Sequence, residues 1–302
     1  MKRIRIISLL FILAFVTVTA VLDTFGIMSY DKMMILLGLR DPAFTEAELS
    51  VHFIDVGQGD STLIVSGDKT VLIDGGEKES GSTVVSYLKS HGIYDIDYVI
   101  ATHPHSDHTG GLPEIFSSFE IGEVIVPEVP ENIIDELSSD KFFISLVNRS
   151  DILISHGYSG RKIDLDISEL EIIAPCGAYD DINNYSIVSV LKHNNNTFLF
   201  SGDAEEESEA DMLKKGKLQN IDVLKAGHHG SSTSTGDEFL EVTEPEYTVI
   251  SCGTGNSYNH PSEKTMRKLS ERKNRIFRTD LQGSITAESD GNTLKFIVNG
   301  KD

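Results

Sequence analysis

The chain has 302 residues, 39% of them hydrophobic, so it is long enough to bury the core of one large domain. Its formal net charge of −21 argues against a broad nucleic-acid-coating surface, although bound metal ions or a local basic patch can override that field nearby. The two cysteines, Cys176 and Cys252, are too few for a disulfide framework and match no metal motif; a single bridge between them stays open.

The N-terminal segment, residues 1–22, has the pattern of an export signal. Basic residues at its start precede an uncharged, mostly apolar run from Ile6 to Leu22. This pattern is typical of a signal peptide, and the run is also nearly long enough to cross a bilayer as an anchor. Both outcomes place the rest of the chain outside the cytoplasm, so we expect an extracellular or membrane-anchored protein. Residues 23–49 are expected to form a linker.

Residues 50–302 are predicted to form one domain in which strands and helices alternate. β-Rich runs separated by glycine-rich turns predict the first strands, with a hairpin turn at residues 66–69. Helical spacing of apolar residues then predicts a helix over 82–92 that is capped by its final glycine. An apolar strand over residues 96–100 runs directly into a histidine cluster. Such alternation favours a layered α/β fold.

The chain also contains an internal repeat. Residues 61–76 and 186–204 both read as strand, polar turn and strand, and both end in an aspartate beside a glycine. We therefore expect Asp74 and Asp203 to occupy similar places in two halves of a duplicated sheet.

Three histidines and an aspartate lie within the six residues from His103 to His108. Pro104 and the Thr-Gly-Gly that follows the cluster argue against a regular helix, so we expect a compact loop at the C-terminal end of a strand. His103 and His105 can hold one ion, and Asp107 and His108 a second. Imidazole and carboxylate ligands suit zinc, manganese or iron. The alternative, a histidine-rich surface loop, is weaker because four ligand-type residues crowd into six positions.

Two later strand ends supply further ligand-type side chains. Asp203 follows an apolar strand, where its carboxylate can bridge two ions, and His228 and His229 follow another strand. A single strand-end aspartate is usually a cap, and a lone histidine pair is usually solvated. Three strands that each end in ligand chemistry nevertheless favour a dinuclear metal site.

These motifs, in this order, resemble those of the metallo-β-lactamase superfamily. More narrowly, FIDVGQGDSTLIV, THPHSDHTGG, FLFSGDA and LKAGHHGSS are similar to the metallo-β-lactamase domain of the ComEC family of competence proteins, from about Val51 to the C-terminus. The resemblance implies a four-layer αβ/βα sandwich that holds two divalent metal ions, Zn²⁺ or Mn²⁺. It concerns the hydrolase domain alone and does not imply DNA uptake.

The resemblance also implies a set of site residues. Asp74 would support the metal loop from behind rather than bind an ion. A nitrogen ligand that many members carry is replaced here by the Asn-Asn-Tyr-Ser stretch at 183–186, as in ComEC-like domains, and this favours manganese. His156 and His193 are predicted to be solvated. The implied metal ligands are His103, His105, Asp107, His108, Asp203 and His228, with His229 as an alternative to His228.

His260 lies between a strand and a predicted helix and can simply mark the start of that helix. In phosphodiesterase branches of the superfamily, however, a late histidine contacts the phosphate or assists the leaving group, and we favour that catalytic role. Residues 264–278 carry seven basic side chains, which an ordinary solvated helix face explains. Lys264, Arg267 or Lys268 can alternatively hold a phosphate backbone.

Two adjacent cations define the expected chemistry. A water shared by two divalent ions loses its proton near neutral pH, and the hydroxide attacks the substrate without a serine or cysteine nucleophile. We therefore predict a metal-dependent hydrolase, foremost a phosphodiesterase or nuclease for substrates such as single-stranded DNA, with Asp107 and His260 as catalytic residues. Hydrolysis of esters, lactones, β-lactams or phosphorylcholine esters and a metal-binding module without turnover are the alternatives. A membrane is an expected partner only through an uncleaved N-terminal segment.

Overall fold

The structure, a computed structural model, describes residues 47–130 and 152–298 and the single positions 17, 133 and 300. Apart from position 17, the predicted export segment, residues 1–22, lies outside these residues, as does almost all of the predicted linker, residues 23–49. Among the described residues, no helix combines the length and the apolar character that spanning a bilayer requires.

The described residues form strands joined by helices and short 3-10 turns. The strands are β1 (Leu49–Phe53), β2 (Thr62–Ser66), β3 (Lys69–Ile73), β4 (Asp95–Ile100), β5 (Glu120–Pro127), β6 (Leu153–Gly157), β7 (Lys162–Asp164), β8 (Glu169–Ala174), β9 (Val188–His193), β10 (Asn196–Phe200), β11 (Val223–Lys225), β12 (Tyr247–Ile250), β13 (Arg275–Arg278), β14 (Ile285–Ser289) and β15 (Leu294–Val298). The helices are α1 (Gly81–Ser90), α2 (Ser106–Thr109), α3 (Leu112–Ser118), α4 (Glu206–Lys214), α5 (Asp237–Thr243), α6 (Glu263–Glu271) and α7 (Thr279–Gln282).

Two compact units divide the chain. One comprises residues 1–44 and 86–94, and the other residues 45–85 and 95–302. The described part of the first unit is the end of α1 and the turn after it, where Gly92 adopts a φ of +75°. Glycine adopts such a positive φ without steric cost, which is why it commonly follows the last residue of a helix, as predicted here. The sheets and the candidate site belong to the second unit.

The strands form two sheets. The first has the order β15-β14-β1-β2-β3-β4-β5-β6, and the second has the order β13-β12-β11-β10-β9-β8-β7. In each sheet an antiparallel hairpin, β2–β3 or β9–β10, is followed by three strands that pair in parallel. This shared topology confirms the duplication that the sequence repeat predicted, and it confirms a mixed α/β architecture with two sheets.

The apolar core lies between the two sheets. Phe53 of β1 meets Phe198 and Phe200 of β10, and the ring centroids of Phe53 and Phe200 are 6.3 Å apart. Because side chains alternate along a strand, Leu199 and Leu224 point to the opposite face of the second sheet. There they pack with apolar side chains of α4, α5 and α6. The second sheet therefore has the core on one face and helices on the other.

The histidine cluster differs from the compact loop that we predicted. Residues Ser106–Thr109 form the single helical turn α2, with His105 as its N-cap residue. Pro104 precedes this turn, so its missing N–H removes no helix hydrogen bond. Gly110 and Gly111 then separate α2 from α3. Proline and glycine therefore bound the turn rather than exclude it.

The glycines beside the cluster allow two backbone segments to touch. The Gly75 N–H donates to the His108 carbonyl at 2.7 Å, and the Gly111 N–H donates to the Gly76 carbonyl at 2.9 Å. A Cβ atom on Gly111 would overlap the carbonyl oxygen of Gly75. The Asp-Gly-Gly and Thr-Gly-Gly motifs are therefore required by close packing, which holds the cluster beside Asp74.

Predictions for two other histidines and for the two cysteines can be compared with the structure. His193 was predicted to be solvated, and this is wrong: it is buried, with Nδ1 2.9 Å from Ser289 Oγ. It ends β9 on the inward face that Leu191 also occupies. His156 is exposed on β6, as predicted. In the described chain Cys176 and Cys252 are both free, so no bridge joins them.

We expect Gly111→Ala to lower the free energy of unfolding by about 3 kcal/mol, because the added methyl group meets backbone that cannot move aside. Gly216→Ala is the control: Gly216 has a φ of +63°, but no described atom lies within 4 Å of an added Cβ. That variant should lose only about 1–2 kcal/mol, the cost of placing an alanine in the left-handed region. Urea unfolding followed by circular dichroism measures both. Equal losses would contradict the close backbone contact.

Candidate metal centre

The candidate site lies at the C-terminal ends of strands from both sheets. β4 leads into residues 103–108, β10 leads into Asp203, and β11 leads into His228 and His229. These three segments are distant in sequence, yet they meet. His108 Nε2 lies 3.2 Å from Asp203 Oδ1, and His229 Nε2 lies 3.5 Å from Asp203 Oδ2.

Asp203 is the centre of the site. Its carboxylate is buried and lies within 4.0 Å of a ring nitrogen on each of four histidines. The nitrogen–oxygen distances are 3.2 Å to His108, 3.5 Å to His229, 3.7 Å to His228 and 3.9 Å to His103. Its backbone N–H donates to Ser186 Oγ at 3.1 Å, which fixes the turn after β10.

The remaining predicted ligands complete the same cluster. His105 Nδ1 lies 3.0 Å from His103 Nε2, and Asp107 Oδ2 lies 3.1 Å from His229 Nε2. The structure therefore brings together His103, His105, Asp107, His108, Asp203 and His228. It also places His229 at the cluster, fully buried between Asp107 and Asp203, whereas the His228 side chain is 24% exposed.

Asp60 is a site residue that the sequence reasoning did not identify. It lies just before β2 and is buried, with Oδ1 3.2 Å from His229 Nδ1. One ligand-type atom from each of Asp60, His108, Asp203 and His229 lies within 4.8 Å of the others. The GQGD motif contributed to the family resemblance, but no spacing marks its aspartate as a site residue, because its partners lie in the other half of the chain.

Three of the histidines have a carboxylate on the ring nitrogen Nδ1, opposite the Nε2 that faces Asp203. Such a carboxylate orients the ring and leaves Nε2 free to bind a cation. Asp74 is itself held by the Thr102 N–H at 2.8 Å and the Thr102 hydroxyl at 2.7 Å. The pairs are His108 with Asp74 at 2.8 Å, His228 with Glu205 at 2.9 Å and His229 with Asp60 at 3.2 Å.

The Asn-Asn-Tyr-Ser stretch supports the cluster without supplying a nitrogen ligand. It is buried, and Ile182–Tyr185 forms a 3-10 turn. Asn184 Oδ1 accepts hydrogen bonds from the backbone N–H groups of Glu205 and Ser208, at 3.1 and 3.2 Å. The stretch therefore holds the segment between Asp203 and α4 in place.

A polar cavity of about 230 Å³ opens beside the cluster. His260 lines it, with its ring centroid 5.4 Å from that of His228. Its backbone is fixed on both sides by Asn256, whose side chain accepts from the His260 N–H and donates to the His260 carbonyl. Burial and the two histidines beside it lower the pKa of His260, so its ring is neutral at pH 7. The lining residues are Gln58, His105, Ser106, Asp107, Asp203, His228, His229, Tyr258 and His260.

The basic helix is α6, and one of its three candidate phosphate contacts is wrong. Lys268 is buried, and its Nζ donates to the carbonyls of Ser234 and Thr235 at 3.1 and 2.6 Å. Lys264 Nζ donates to the Ser232 carbonyl at 3.1 Å. These lysines hold the loop after the histidine pair, because its carbonyl groups would otherwise lack donors.

Residues 54–254 match the family model described as the metallo-beta-lactamase superfamily. The chain belongs to this superfamily. It is 30% identical to ComE operon protein 3 of Bacillus subtilis over 84% of this chain and 34% of that protein. It is 29% identical to Recombination protein 2 of Haemophilus influenzae (78% of this chain, 28% of that protein) and 28% identical to Competence protein ComA of Neisseria gonorrhoeae (82% and 33%). The chain spans about a third of the length of these relatives.

Two solved structures share the superfamily fold. CmlA from Streptomyces venezuelae, a diiron beta-hydroxylase, superposes with a TM-score of 0.54 at 15% identity, over 81% of this chain and 55% of CmlA. The metallo-beta-lactamase fold protein YhfI from Bacillus subtilis gives a TM-score of 0.50 at 11% identity, over 76% of this chain and 96% of YhfI. At 11% and 15% identity, these comparisons support a shared fold and do not extend to activity.

The donor set in this superfamily member fits a cation. His108 Nε2 and Asp203 Oδ1 are both buried without a hydrogen-bond partner among the described residues, although they lie 3.2 Å apart. Buried polar atoms in folded proteins are normally hydrogen-bonded, so atoms left without a partner need another one. An imidazole nitrogen and a carboxylate oxygen that converge in this way are suited to a divalent metal ion.

The pKa values of the same groups show what a cation would displace. Burial by itself lowers the pKa of His108, but the carboxylates around it, first Asp203, outweigh burial and hold it well above its ordinary value. At His229 they likewise outweigh burial and raise the pKa to about 10. Protons on these two rings therefore compensate the buried carboxylates. A metal ion must displace them, so metal binding strengthens as pH rises.

We expect added Zn²⁺ or Mn²⁺ to raise the Tm of the EDTA-treated protein, because the ligands converge only in the folded chain. The increase should be larger at pH 8 than at pH 6, since each bound ion releases ring protons and the lower proton concentration at pH 8 favours that release. Asp203→Asn should remove most of the increase, whereas the exposed-site control His156→Ala should retain it. Differential scanning fluorimetry measures the Tm of all three proteins. A wild-type Tm that does not change when metal is added would contradict the metal site.

Proposed function

We propose that this superfamily member is a phosphodiesterase that uses two divalent metal ions, Zn²⁺ or Mn²⁺, and acts on DNA or a related phosphodiester. The observation that carries the proposal is the Asp203 carboxylate among four imidazoles, at the wall of an open polar cavity. A buried ligand set beside a space that substrate can enter is the arrangement that metal-dependent hydrolysis requires.

The cluster divides into an inner and an outer part. His103 and His108 are buried, whereas His105, Asp107 and His228 line the cavity. Bound there, two divalent ions would activate a water molecule and stabilise the negative charge that develops on the attacked phosphoryl group. The residues that would hold them are His103, His105, Asp107, His108 and Asp203, with His229 or His228 as the last nitrogen ligand.

The cavity wall supplies groups that can position a phosphodiester. The neutral ring of His260 carries one N–H, which can donate a hydrogen bond to a phosphoryl oxygen or to the departing oxygen. Tyr258 is 64% exposed at the rim, with its ring at 19° to that of His260 and 5.8 Å between centroids. An exposed aromatic face beside a phosphate site suits stacking of an unpaired base.

The relatives and the charge of the chain narrow the substrate class. The relatives that align over 78–84% of this chain carry the names ComE operon protein 3, Recombination protein 2 and Competence protein ComA. Recombination acts on DNA, a phosphodiester polymer. The net charge of −21 opposes wrapping of a long duplex. Short or single-stranded substrates therefore fit best. We further propose export, on the basic and apolar pattern of residues 1–22.

We expect the 302-residue protein with added Mn²⁺ or Zn²⁺ to cleave single-stranded DNA and bis-p-nitrophenyl phosphate. Asp107→Ala and His105→Ala should lower kcat/KM by at least about 10³-fold, because each removes a ligand-type group at the cavity wall. His156→Ala should match the wild type, and circular dichroism should show that all variants are folded. Turnover of nitrocefin or a lactone without phosphodiester cleavage would assign the protein to another class of hydrolase.

We expect His260→Ala to lower kcat by about 10²-fold, the usual loss when one hydrogen-bond donor to a developing charge is removed. Because His260 lies beside the ligands rather than among them, the variant should retain the metal-dependent increase in Tm. Steady-state kinetics with bis-p-nitrophenyl phosphate and fluorimetry with Mn²⁺ separate the two effects. A variant that loses metal binding together with activity would show that His260 is a ligand.

A further inference from the structure

Lys225, the last residue of β11, is a buried cation that the proposed chemistry does not use. Its side chain is 2% exposed and lies on the inner face of the second sheet, the face that Val223 also occupies. Its Nζ donates to Asp60 Oδ2 at 2.6 Å and to the Ala226 carbonyl at 3.0 Å. Burial of an ammonium group is costly unless it is paired. The pair with Asp60 is therefore obligatory for both residues.

The second oxygen of Asp60 faces His229. Asp60 Oδ1 lies 3.2 Å from His229 Nδ1, which also lies 3.1 Å from the Ser251 carbonyl oxygen. Both of these neighbours are acceptors, so Nδ1 carries the ring proton. The other ring nitrogen, Nε2, lies 3.1 Å from Asp107 Oδ2 and 3.5 Å from Asp203 Oδ2. Asp60 and Asp107 thus lie at opposite nitrogens of the ring, although an Asp60 oxygen remains within 4.8 Å of a ligand-type atom of Asp203.

Two roles for Asp60 can be distinguished by this geometry. A metal ion bound through His229 Nε2 would lie on the side of Asp107 and Asp203, and distance alone does not keep Asp60 from it, because ligand-type atoms of the four buried residues lie within 4.8 Å of one another. What opposes coordination by Asp60 is the Lys225 ammonium on its other oxygen. An ion on the Nδ1 side would lie next to the Lys225 ammonium, and two cations at that separation repel each other in a buried environment. The position of Lys225 therefore disfavours Asp60 as a ligand and favours it as a counter-charge beside the Nδ1 proton, whose hydrogen bond goes to the Ser251 carbonyl.

We infer that Lys225 and Asp60 are positioning residues that present His229 Nε2 to the metal centre and keep the Asp60 carboxylate out of its coordination sphere. His108 in the other half of the chain has a corresponding carboxylate, Asp74, but that one is held by the N–H and hydroxyl of Thr102. The two buried imidazoles thus have equivalent supports built from different donors. Only the support of His229 contains a formal cation.

The inference rests on the metal-binding part of the proposed function and does not depend on the substrate. Titration of the EDTA-treated 302-residue protein with Co²⁺, followed by visible absorption, reports both affinity and coordination. Asp60→Asn should weaken Co²⁺ binding by about 10–100-fold, the usual effect of removing a group that orients a ligand, and should preserve the band shape. Lys225→Met frees the Asp60 carboxylate to coordinate, so the band shape should change.

A double-mutant cycle separates positioning from direct coordination. If Asp60 acts only through the imidazole, Asp60→Asn should cause no further loss of affinity in a His229→Ala background. The double variant Asp60→Asn with Lys225→Met removes both buried charges and serves as the folding control for either single change. Additive losses in the cycle, or a changed band shape in Asp60→Asn, would show that Asp60 is a ligand and would overturn the inference.

A second readout needs no metal. The Nδ1 proton of His229 is buried between two acceptors, so it should give a slowly exchanging downfield resonance in the proton NMR spectrum of the metal-free protein. The resonance should disappear in His229→Ala and shift in Asp60→Asn. An unshifted resonance in Asp60→Asn would overturn the inference, even if the wild type failed to bind Co²⁺ and the proposed function were abandoned.

Discussion

The contact of one buried carboxylate, Asp203, with four imidazoles is the constraint on which the rest of the site depends. Such a concentration of ligand-type groups away from water is unfavourable unless each charge has a partner. Carboxylates contact the Nδ1 atoms of three of these histidines. Of those carboxylates, Asp74 accepts hydrogen bonds from Thr102, and Asp60 accepts one from Lys225. The histidines, the carboxylates behind them and the donors behind those carboxylates therefore form successive polar shells, in which each shell supplies partners for the buried groups of the one inside it.

The duplicated topology brings these groups together. In each sheet the hairpin and the first parallel strand end at the same edge, and stacking of the two sheets brings the two edges to one place. The segment after β4 and the segment after β11 therefore meet at Asp203. Glycine is needed where the loops after β3 and β4 touch, since any side chain there would push the cluster away from Asp74.

Burial also divides the site by function. His103 and His108 have no access to solvent and can only hold a cation or a proton, whereas Asp107, His229 and His260 line the cavity. A substrate that enters therefore meets ligands that are already positioned, together with a neutral imidazole whose backbone Asn256 holds rigid. Such preorganisation is what a polar site needs to stabilise developing charge.

The sequence alone identified what depends on neighbours along the chain. The hairpins, the repeat and the crowded residues 103–108 are local patterns, and the order of the motifs was sufficient to predict the superfamily. The burial of His193, the helical turn at 106–109, the buried Lys268 and the role of Asp60 needed the tertiary structure. Asp60 reaches His229 only because the two sheets stack. A contact between segments that are distant in sequence produces no regular residue spacing, so sequence patterns cannot reveal it.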